Sequence, residues 1–322
     1  MSSLRLSVDK DSRAIALALV LLLAAIVIPP VDLPHDTYDY LLVFDISQSM
    51  NVEDYELDGP PVSRLAFAHE SARRMLREMP CGSRVGWAAF TGYRTIPLLA
   101  PVEVCAYYND LLASLDQIDA RMRWSNASEI TKGVYWSVLA AQETTLPAGA
   151  HPDIVFISDG QEAPLLDPAY PPRVLDDLQK HSIRGWLIGA GSDVPSPIPR
   201  IDEEGHRQGF WRADEVIQPT AFGDDNAPAI EHLSGLREPH LRALADQVGF
   251  NYARLTGPES LSEILRDQRY ARRRPTPTDL FWLPAAIAVL LLAMRFRPDS
   301  LVPLSSRRQR STVTFTASRQ ET

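Results

Sequence analysis

The fold of this chain is decided by the stretch Tyr40-Leu41-Leu42-Val43-Phe44-Asp45-Ile46-Ser47-Gln48-Ser49-Met50. Its apolar run, rich in branched and aromatic residues, predicts a buried strand of a parallel sheet. Asp45, Ser47 and Ser49 then lie at the carboxyl end of that strand, where open α/β sheets bind their ligands. Oxygen ligands on one tight loop suit a hard divalent cation. We therefore expect Mg²⁺ here, with Mn²⁺ or Ca²⁺ as alternatives.

A second apolar run with an acidic end follows in Asp153-Ile154-Val155-Phe156-Ile157-Ser158-Asp159-Gly160. It repeats the design of the first stretch, since an apolar strand ends in an Asp and then a Gly, and this second signal strengthens the first. Between the two runs lies Ser128-Glu129-Ile130-Thr131-Lys132-Gly133, which has two hydroxyls at the start of a predicted helix. Either hydroxyl could instead serve as a helix cap.

These three segments resemble the von Willebrand factor A (VWA) domain and its metal-ion-dependent adhesion site. The resemblance implies five metal-site residues: Asp45, Ser47, Ser49, Ser128 and Asp159. In that family the two serines of the first loop and a hydroxyl of the second loop bind the cation directly, and the aspartates act largely through water. Thr131 is the alternative to Ser128, since the family usually has Thr at this position. Ser128 is preferred because the family pattern places the hydroxyl five residues before a glycine, here Gly133.

The function implied by such a site is cation-dependent protein binding, because one coordination position stays open to a carboxylate of a partner. We therefore expect no catalytic residues and no enzymatic activity. The distant alternative is a metal-dependent phosphotransfer enzyme with Asp45 as nucleophile, but that class needs a second Asp where Ser47 stands. The sequence also contains none of the common hydrolase, zinc-protease, Walker or dinucleotide-binding motifs.

Strands alternate with helices along the chain, which predicts an α/β fold. The sheet is expected to be doubly wound, VWA/Rossmann-like and mostly parallel, with one antiparallel edge strand from a hairpin of residues 85–91 and 95–99. Residues 192–229, rich in Pro, Gly and charge, should form a loop or short hairpin beside the site. The other predicted elements are helices at 61–79, 107–118, 130–141, 173–181, 236–248 and 260–270, and strands at 183–190 and 250–255.

The two cysteines bracket the predicted hairpin. If the hairpin turns near residue 92 or 93, Cys81 and Cys105 fall almost opposite one another. A disulfide is then geometrically possible, and it would need an oxidising compartment. Two free thiols are the alternative.

Both ends of the chain carry apolar segments. Residues 14–28 are uncharged and end at Pro29-Pro30, which favours an uncleaved signal anchor over a signal peptide or a core helix. Phe281 and Trp282 open a second apolar segment and suit a membrane interface. We expect six parts: an amino-terminal segment (1–13), a transmembrane helix (14–30), the VWA domain (38–258), a membrane-proximal helix and linker (259–279), a transmembrane helix (280–296) and a basic tail (297–322).

The charge distribution bears on partners and topology. The chain of 322 residues has a net charge of −9, and no basic stripe crosses its middle, which argues against nucleic-acid binding. Both ends are basic, which favours cytoplasmic termini, an inner-membrane location and a periplasmic domain. Five arginines between residues 266 and 274 lie on the supposed outer side. The charge rule alone therefore leaves the topology open.

The chain further resembles bacterial membrane VWA proteins encoded with MoxR-type AAA+ ATPases. Within that class, the segment from Cys81 to Cys105 and the motifs that begin at Asp159 and Ser234 are similar to accessory proteins of methanol dehydrogenase maturation, linked to calcium loading. This implies a periplasmic dehydrogenase or its maturation factors as partner. Aerotolerance-type VWA proteins are the alternative, with other VWA proteins and a MoxR AAA+ ATPase as partners.

Overall fold

The computed structural model describes residues 10–166, 172–219 and 228–295. Two compact units are present. One is Leu33–Thr276, and the other is formed by the two ends of the chain, of which residues 10–32 and 277–295 are described.

The elements are numbered in chain order. The strands are β1 (Val31–Thr37), β2 (Asp39–Asp45), β3 (Tyr55–Glu56), β4 (Pro61–Val62), β5 (Arg84–Thr91), β6 (Arg94–Glu103), β7 (Asp153–Ser158), β8 (Gly185–Gly189), β9 (Ser196–Pro197), β10 (Pro199–Ile201), β11 (Arg207–Phe210), β12 (Leu233–Ser234), β13 (Asn251–Arg254) and β14 (Arg272–Thr278). The α-helices are α1 (Lys10–Val27), α2 (Arg64–Glu78), α3 (Tyr108–Leu115), α4 (Ile130–Glu143), α5 (Glu238–Val248), α6 (Ser260–Leu265) and α7 (Trp282–Arg295).

The central sheet has six strands in the order β13-β8-β7-β2-β5-β6. All neighbouring pairs are parallel except β5 and β6, which form an antiparallel hairpin at one edge. Strands β2, β7 and β8 are buried along their whole length, as expected of parallel strands covered on both faces. This confirms the predicted α/β class with a mostly parallel sheet and one antiparallel edge strand.

Two hydrophobic cores cover the two faces of the sheet. Because successive side chains of a strand point to opposite faces, β2 contributes to both. Leu42 and Phe44 pack in the core that includes α2, α3 and α6, whereas Leu41 and Val43 pack in the core that includes α4 and α5. All residues of the apolar run 40–44 are therefore buried, and Asp45, the last residue of β2, lies at the carboxyl edge of the sheet.

Two predicted helices differ from the structure. Residues 173–181 contain only a short 3₁₀ turn, Val174–Asp177, because Asp176 and Asp177 are poor helix formers and His181 has a φ of 64°. The helix predicted at 260–270 ends at Leu265, and Leu261 and Leu265 are fully buried in the core. The segment after it forms β14, which pairs with β1. The compact unit therefore extends beyond the expected 38–258 and includes most of the predicted linker.

The helices at the chain ends differ in extent from the predicted spans. The first, α1, starts earlier than residue 14 and ends before Pro29-Pro30, since proline cannot continue a helix. The second, α7, has 14 residues in place of the predicted 280–296, and it packs against α1. Within the described ranges, no helix combines the length and the apolar character that crossing a membrane requires. Residues 1–9 and the predicted basic tail at 297–322 lie outside the described residues.

A disulfide joins Cys81 and Cys105, whose Cα atoms are 5.3 Å apart. The two residues flank the β5–β6 hairpin, whose antiparallel pairing brings Arg84 opposite Glu103 and so draws the flanking residues together. Among the described residues there is no free cysteine.

Buried aspartates at the amino ends of two central strands form ion pairs with arginines. Asp39, the first residue of β2, is buried and accepts hydrogen bonds from Arg272 Nη1 at 2.8 Å and Arg274 Nη2 at 2.6 Å. Asp153, at the start of β7, similarly pairs with Arg184. All five arginines that complicate the topology lie within the compact unit Leu33–Thr276, and two of them pair with Asp39.

Candidate metal site

The first loop of the site follows β2 directly. Asp45 is completely buried; its Oδ1 accepts a hydrogen bond from Ser47 N at 2.9 Å, and its Oδ2 accepts one from Ser158 Oγ at 2.7 Å. Ile46 and Met50 point into the core and anchor a 3₁₀ turn over Gln48–Asn51. The hydroxyls that alternate with these anchors come together, and the Oγ atoms of Ser47 and Ser49 are 3.2 Å apart.

The second loop follows β7 and carries Asp159, which is also completely buried. Its Oδ1 accepts a hydrogen bond from Gln161 N at 3.0 Å. Its Oδ2 accepts bonds from Arg64 Nη1 at 2.7 Å and Ser234 Oγ at 2.6 Å. Arg64 is itself buried, and its guanidinium also binds Asp54. Asp159 thus accepts hydrogen bonds from three donors, and the buried guanidinium of Arg64 neutralises its negative charge.

The third loop carries Ser128 and Thr131, the two alternatives for the third hydroxyl ligand of the cation. Thr131 Oγ1 donates to Glu162 Oε1 at 2.9 Å, so this hydroxyl is already satisfied. Ser128 Oγ is buried and has no hydrogen-bond partner among the described residues. Backbone hydrogen bonds between Ser128 and Ala163 fix this residue at the wall of the cavity that Ser47 and Ser49 also line. A buried hydroxyl without a partner costs free energy, which a bound cation would recover. The geometry favours Ser128, as the sequence pattern does.

Two glycines allow these loops to approach the sheet. Gly160 has a φ of 77°, a left-handed conformation that favours glycine, and a Cβ there would lie 2.8 Å from Leu241. Gly133 lies against Phe90, where a Cβ would be 2.3 Å from the ring. Helix α4 can therefore pack close to β5, which holds the loop of Ser128 near the first loop.

The electrostatics of the site also suit a cation. Burial, together with the negative charge of Asp159, raises the pKa of Asp45 from 3.8 to about 7, and the hydrogen bonds from Ser47 and Ser158 oppose this shift only partly. Two buried carboxylates close together disfavour their own ionisation. A divalent ion beside them would reverse this penalty.

The donor set therefore fits a hard divalent cation. Ser47, Ser49 and Ser128 would supply hydroxyl oxygens directly, and Asp45 and Asp159 would act around them. Among the described residues, the one grouping of His, Cys, Asp and Glu that could hold an ion is Cys81, Glu103 and Cys105. Both sulfurs of that group are joined in the disulfide, so it is not a credible alternative.

Sequence reasoning missed three side chains that hold the carboxylates: Arg64, Ser158 and Ser234. Ser158 and Ser234 lie in quoted motifs, but nothing in the chain shows that their hydroxyls bind aspartates. For Arg64, one feature of the sequence could have indicated a buried role. Arg64 is the first residue of α2, where a positive charge is disfavoured by the helix dipole, so a buried partner could have been suspected.

The three hydroxyls open into a cavity of about 290 Å³. Its further walls come from the loop after Gln161 and from residues 198–217, which lie within the segment predicted to form a loop or hairpin beside the site. That segment contains the β10–β11 hairpin. The expectation for residues 192–229 is therefore confirmed over its described part.

No family model matches the chain. Among curated proteins it is 27% identical over 241 residues to a UPF0353 protein of Mycobacterium ulcerans, covering 72% of this chain and 64% of that protein. The chain thus spans less than two thirds of that relative.

Two solved structures are similar. An aerotolerance-related membrane protein from Bacteroides fragilis gives a TM-score of 0.52 at 18% identity, covering 72% of this chain and 98% of that one. The conserved hypothetical protein BatB from Bacteroides thetaiotaomicron gives 0.48 at 19% identity, covering 70% and 94%. The B. fragilis likeness concerns the fold alone, and with the strand order it supports a VWA-type fold for the compact unit.

Proposed function

We propose that this chain binds a partner protein through a divalent cation, most simply Mg²⁺, held at the carboxyl edge of its sheet. The partner would supply a carboxylate to the coordination position that the protein leaves open. Ser47, Ser49 and Ser128 bind the cation, and Asp45 and Asp159 orient its water ligands. The proposal rests above all on the buried hydroxyl of Ser128, which finds no hydrogen-bond partner in the part of the chain that the structure describes.

The chemistry of the site supports binding rather than catalysis. A phosphotransfer enzyme would need a second carboxylate where Ser47 stands, and the hydroxyl of Ser47 lies 3.2 Å from another hydroxyl rather than from a base. Asp45 accepts hydrogen bonds from both sides and is fully buried, so it is poorly placed as a nucleophile. We accordingly propose that the chain has no enzymatic turnover.

Attachment to the inner membrane, with the VWA-type unit in the periplasm, is part of the proposal. Helices α1 and α7 would provide it, because they expose apolar side chains. Ile26 and Val27 of α1 are 81% and 78% exposed, and Val289 of α7 is 62% exposed. The disulfide suits an oxidising compartment. Arg272 and Arg274 lie shortly before α7, where arginines oppose this topology, but both pair with the buried Asp39 and so have a structural role in the folded unit.

Two biological settings remain as proposals. The narrower is maturation or assembly of a periplasmic methanol dehydrogenase-like enzyme, suggested by the motifs around Asp159 and Ser234. The second is an aerotolerance-type role with other VWA proteins and a MoxR AAA+ ATPase. The fold likeness to an aerotolerance-related protein is the observation that favours the second.

The test is capture of partners by the tagged full-length chain from its own membranes, followed by mass spectrometry. We expect a partner that is retained in Mg²⁺, released by chelator and lost from the double variant Ser47→Ala/Ser49→Ala. Moderate salt should release it less, because coordination to the ion is local. A partner held equally in chelator and by the double variant would contradict the proposal. A recovered dehydrogenase would favour the first setting, and an AAA+ ATPase alone the second.

A further inference from the structure

We propose that the ligand of this site is the carboxyl terminus of a partner polypeptide whose last residue is apolar. The terminal carboxylate would bind the cation, and the terminal side chain would fill the adjoining cavity. This inference rests on the proposed cation-dependent binding and specifies which ligand the site accepts.

The cavity combines a polar floor with apolar walls. Ser47, Ser49 and Ser128 form the floor, and each is at most 6% exposed. The apolar walls come mainly from Leu165, Ile198, Trp211, Val216 and Ile217. A flat partner surface cannot reach hydroxyls at that depth. At about 290 Å³ the cavity lies near the lower end of small-ligand sites, so it suits one protruding residue.

The wall formed by residues 198–211 is held in place by the first loop of the site, which follows β2. Gln48, which lies between the two serines, pairs with β10 as a strand would. Its Oε1 accepts from Ile201 N at 3.2 Å, and its Nε2 donates to Ile201 O at 3.1 Å. Trp211 is fixed by a backbone bond to Ile198 at 3.0 Å and by the guanidinium of Arg200, 4.9 Å from its ring. The apolar wall is therefore preformed, which lowers the cost of binding.

The apolar walls favour a chain end over an internal Asp or Glu. An internal residue must bring the chain in and out again, and its peptide groups would meet walls that offer few hydrogen-bond partners. A terminal residue brings one peptide N–H beside its carboxylate, and the cation satisfies the carboxylate. Less polar surface is then buried without a partner.

A free amino acid fits less well, because its ammonium group would need an acidic partner. The three glutamates that line the cavity are already engaged. Glu162 accepts bonds from Thr131, Glu231 pairs with Arg237, and Glu215 pairs with Arg200. An ammonium group would have to compete with these partners for the carboxylates.

A polar groove beside the cavity points to a polypeptide rather than a free aliphatic acid. The groove measures about 730 Å³ and shares Gln48, Asn126 and Trp211 with the cavity. Arg123, Asp202 and Gln208 also line it. Arg123 and Asp202 have hydrogen-bonding capacity beyond their bonds to Ile201 O and Gln208 Nε2, so they can bind the backbone of the residues that precede a chain terminus, which a short acid lacks.

The test is calorimetry on the full-length chain at saturating Mg²⁺ with four probes. They are acetyl-Gly-Gly-Leu as the free acid, the same peptide as its amide, an amidated acetyl-Gly-Asp-Leu-Gly with an internal carboxylate, and 4-methylpentanoate. We expect the free acid to bind at least about tenfold more tightly than each of the others. Equal binding by the internal-carboxylate peptide would overturn the inference, and equal binding by 4-methylpentanoate would show that a free acid is the ligand instead.

A pair of neighbouring variants tests the cavity. Trp211→Ala should weaken binding of the free acid by about tenfold, because Trp211 forms an apolar wall. Phe210→Ala, which is not part of the cavity, should change it by less than about twofold. Both variants should keep the Mg²⁺ affinity of the wild type, which checks their folding. A chain that binds Mg²⁺ but none of the peptides would refute this inference alone, whereas a chain that binds no Mg²⁺ would refute the proposed function as well.

Discussion

Replacing Ser128 with alanine should raise the stability of the metal-free chain and lower its stabilisation by Mg²⁺. The Oγ of Ser128 is buried and has no partner within residues 10–166, 172–219 and 228–295, a state that costs about 1–3 kcal/mol. Its removal leaves a small void, so we expect a net gain of about 0–2 kcal/mol in the free energy of unfolding without metal. In the wild type, Mg²⁺ at about 100 times its dissociation constant adds about 2.7 kcal/mol.

Loss of one oxygen ligand should weaken Mg²⁺ binding by at least the roughly 10–100-fold seen for groups around a metal. At the same Mg²⁺ concentration, the stabilisation of Ser128→Ala should then fall to about 0.4–1.4 kcal/mol. Urea unfolding of the full-length chain, with and without Mg²⁺, measures both quantities.

Thr131→Ala is the matched control and should show the opposite pattern. Its Oγ1 donates to the buried carboxylate of Glu162, and loss of a hydrogen bond to a charged group costs about 1.5–3 kcal/mol. The metal-free chain should therefore be destabilised by about that amount, and the gain from Mg²⁺ should stay near its wild-type value. If Thr131→Ala abolishes the gain from Mg²⁺ and Ser128→Ala keeps it, the assignment of the third hydroxyl is reversed.

Two further predictions concern charges in α2. Arg64→Leu should lower stability by about 3–5 kcal/mol, because it leaves Asp54 and Asp159 buried without the guanidinium that neutralises them. Arg73→Leu, which removes two partly exposed ion pairs with Glu70 and Asp116, should cost less than about 1 kcal/mol in the same urea unfolding assay. Burial lowers the pKa of His69 to about 4, so the unfolded chain takes up a proton near pH 6.5 and the folded chain does not. Stability should fall by up to about 3 kcal/mol as the pH drops from about 6.5 to 4, and a His69→Leu variant with the same pH dependence would refute this.

Local sequence patterns were sufficient for the central strands and for the first metal loop. The run before Asp45 is short, apolar at every position and rich in branched and aromatic residues, as a strand buried on both faces requires, and all seven residues of β2 are buried. The hairpin of β5 and β6 was equally readable, because two apolar runs meet at a short turn with Gly92. The prediction of a helix at 173–181 was wrong. The apolar residues have helical spacing, but Asp176 and Asp177 between them are poor helix formers.

The amino-acid sequence by itself thus determined the sheet, its polar edge and the oxygen-rich character of the site, since these depend on residues close together in the chain. Only the tertiary structure decided which hydroxyl of the third loop lacks a partner among the described residues, because the partner of Thr131 lies 31 residues away at Glu162. The tertiary structure likewise brings Arg64 into contact with Asp159, 95 residues further along the chain. It also brings Trp211 to the cavity that Ser47 and Ser49 line. A side chain's hydrogen-bond partners are set by where distant segments pack, and no local period or spacing encodes that.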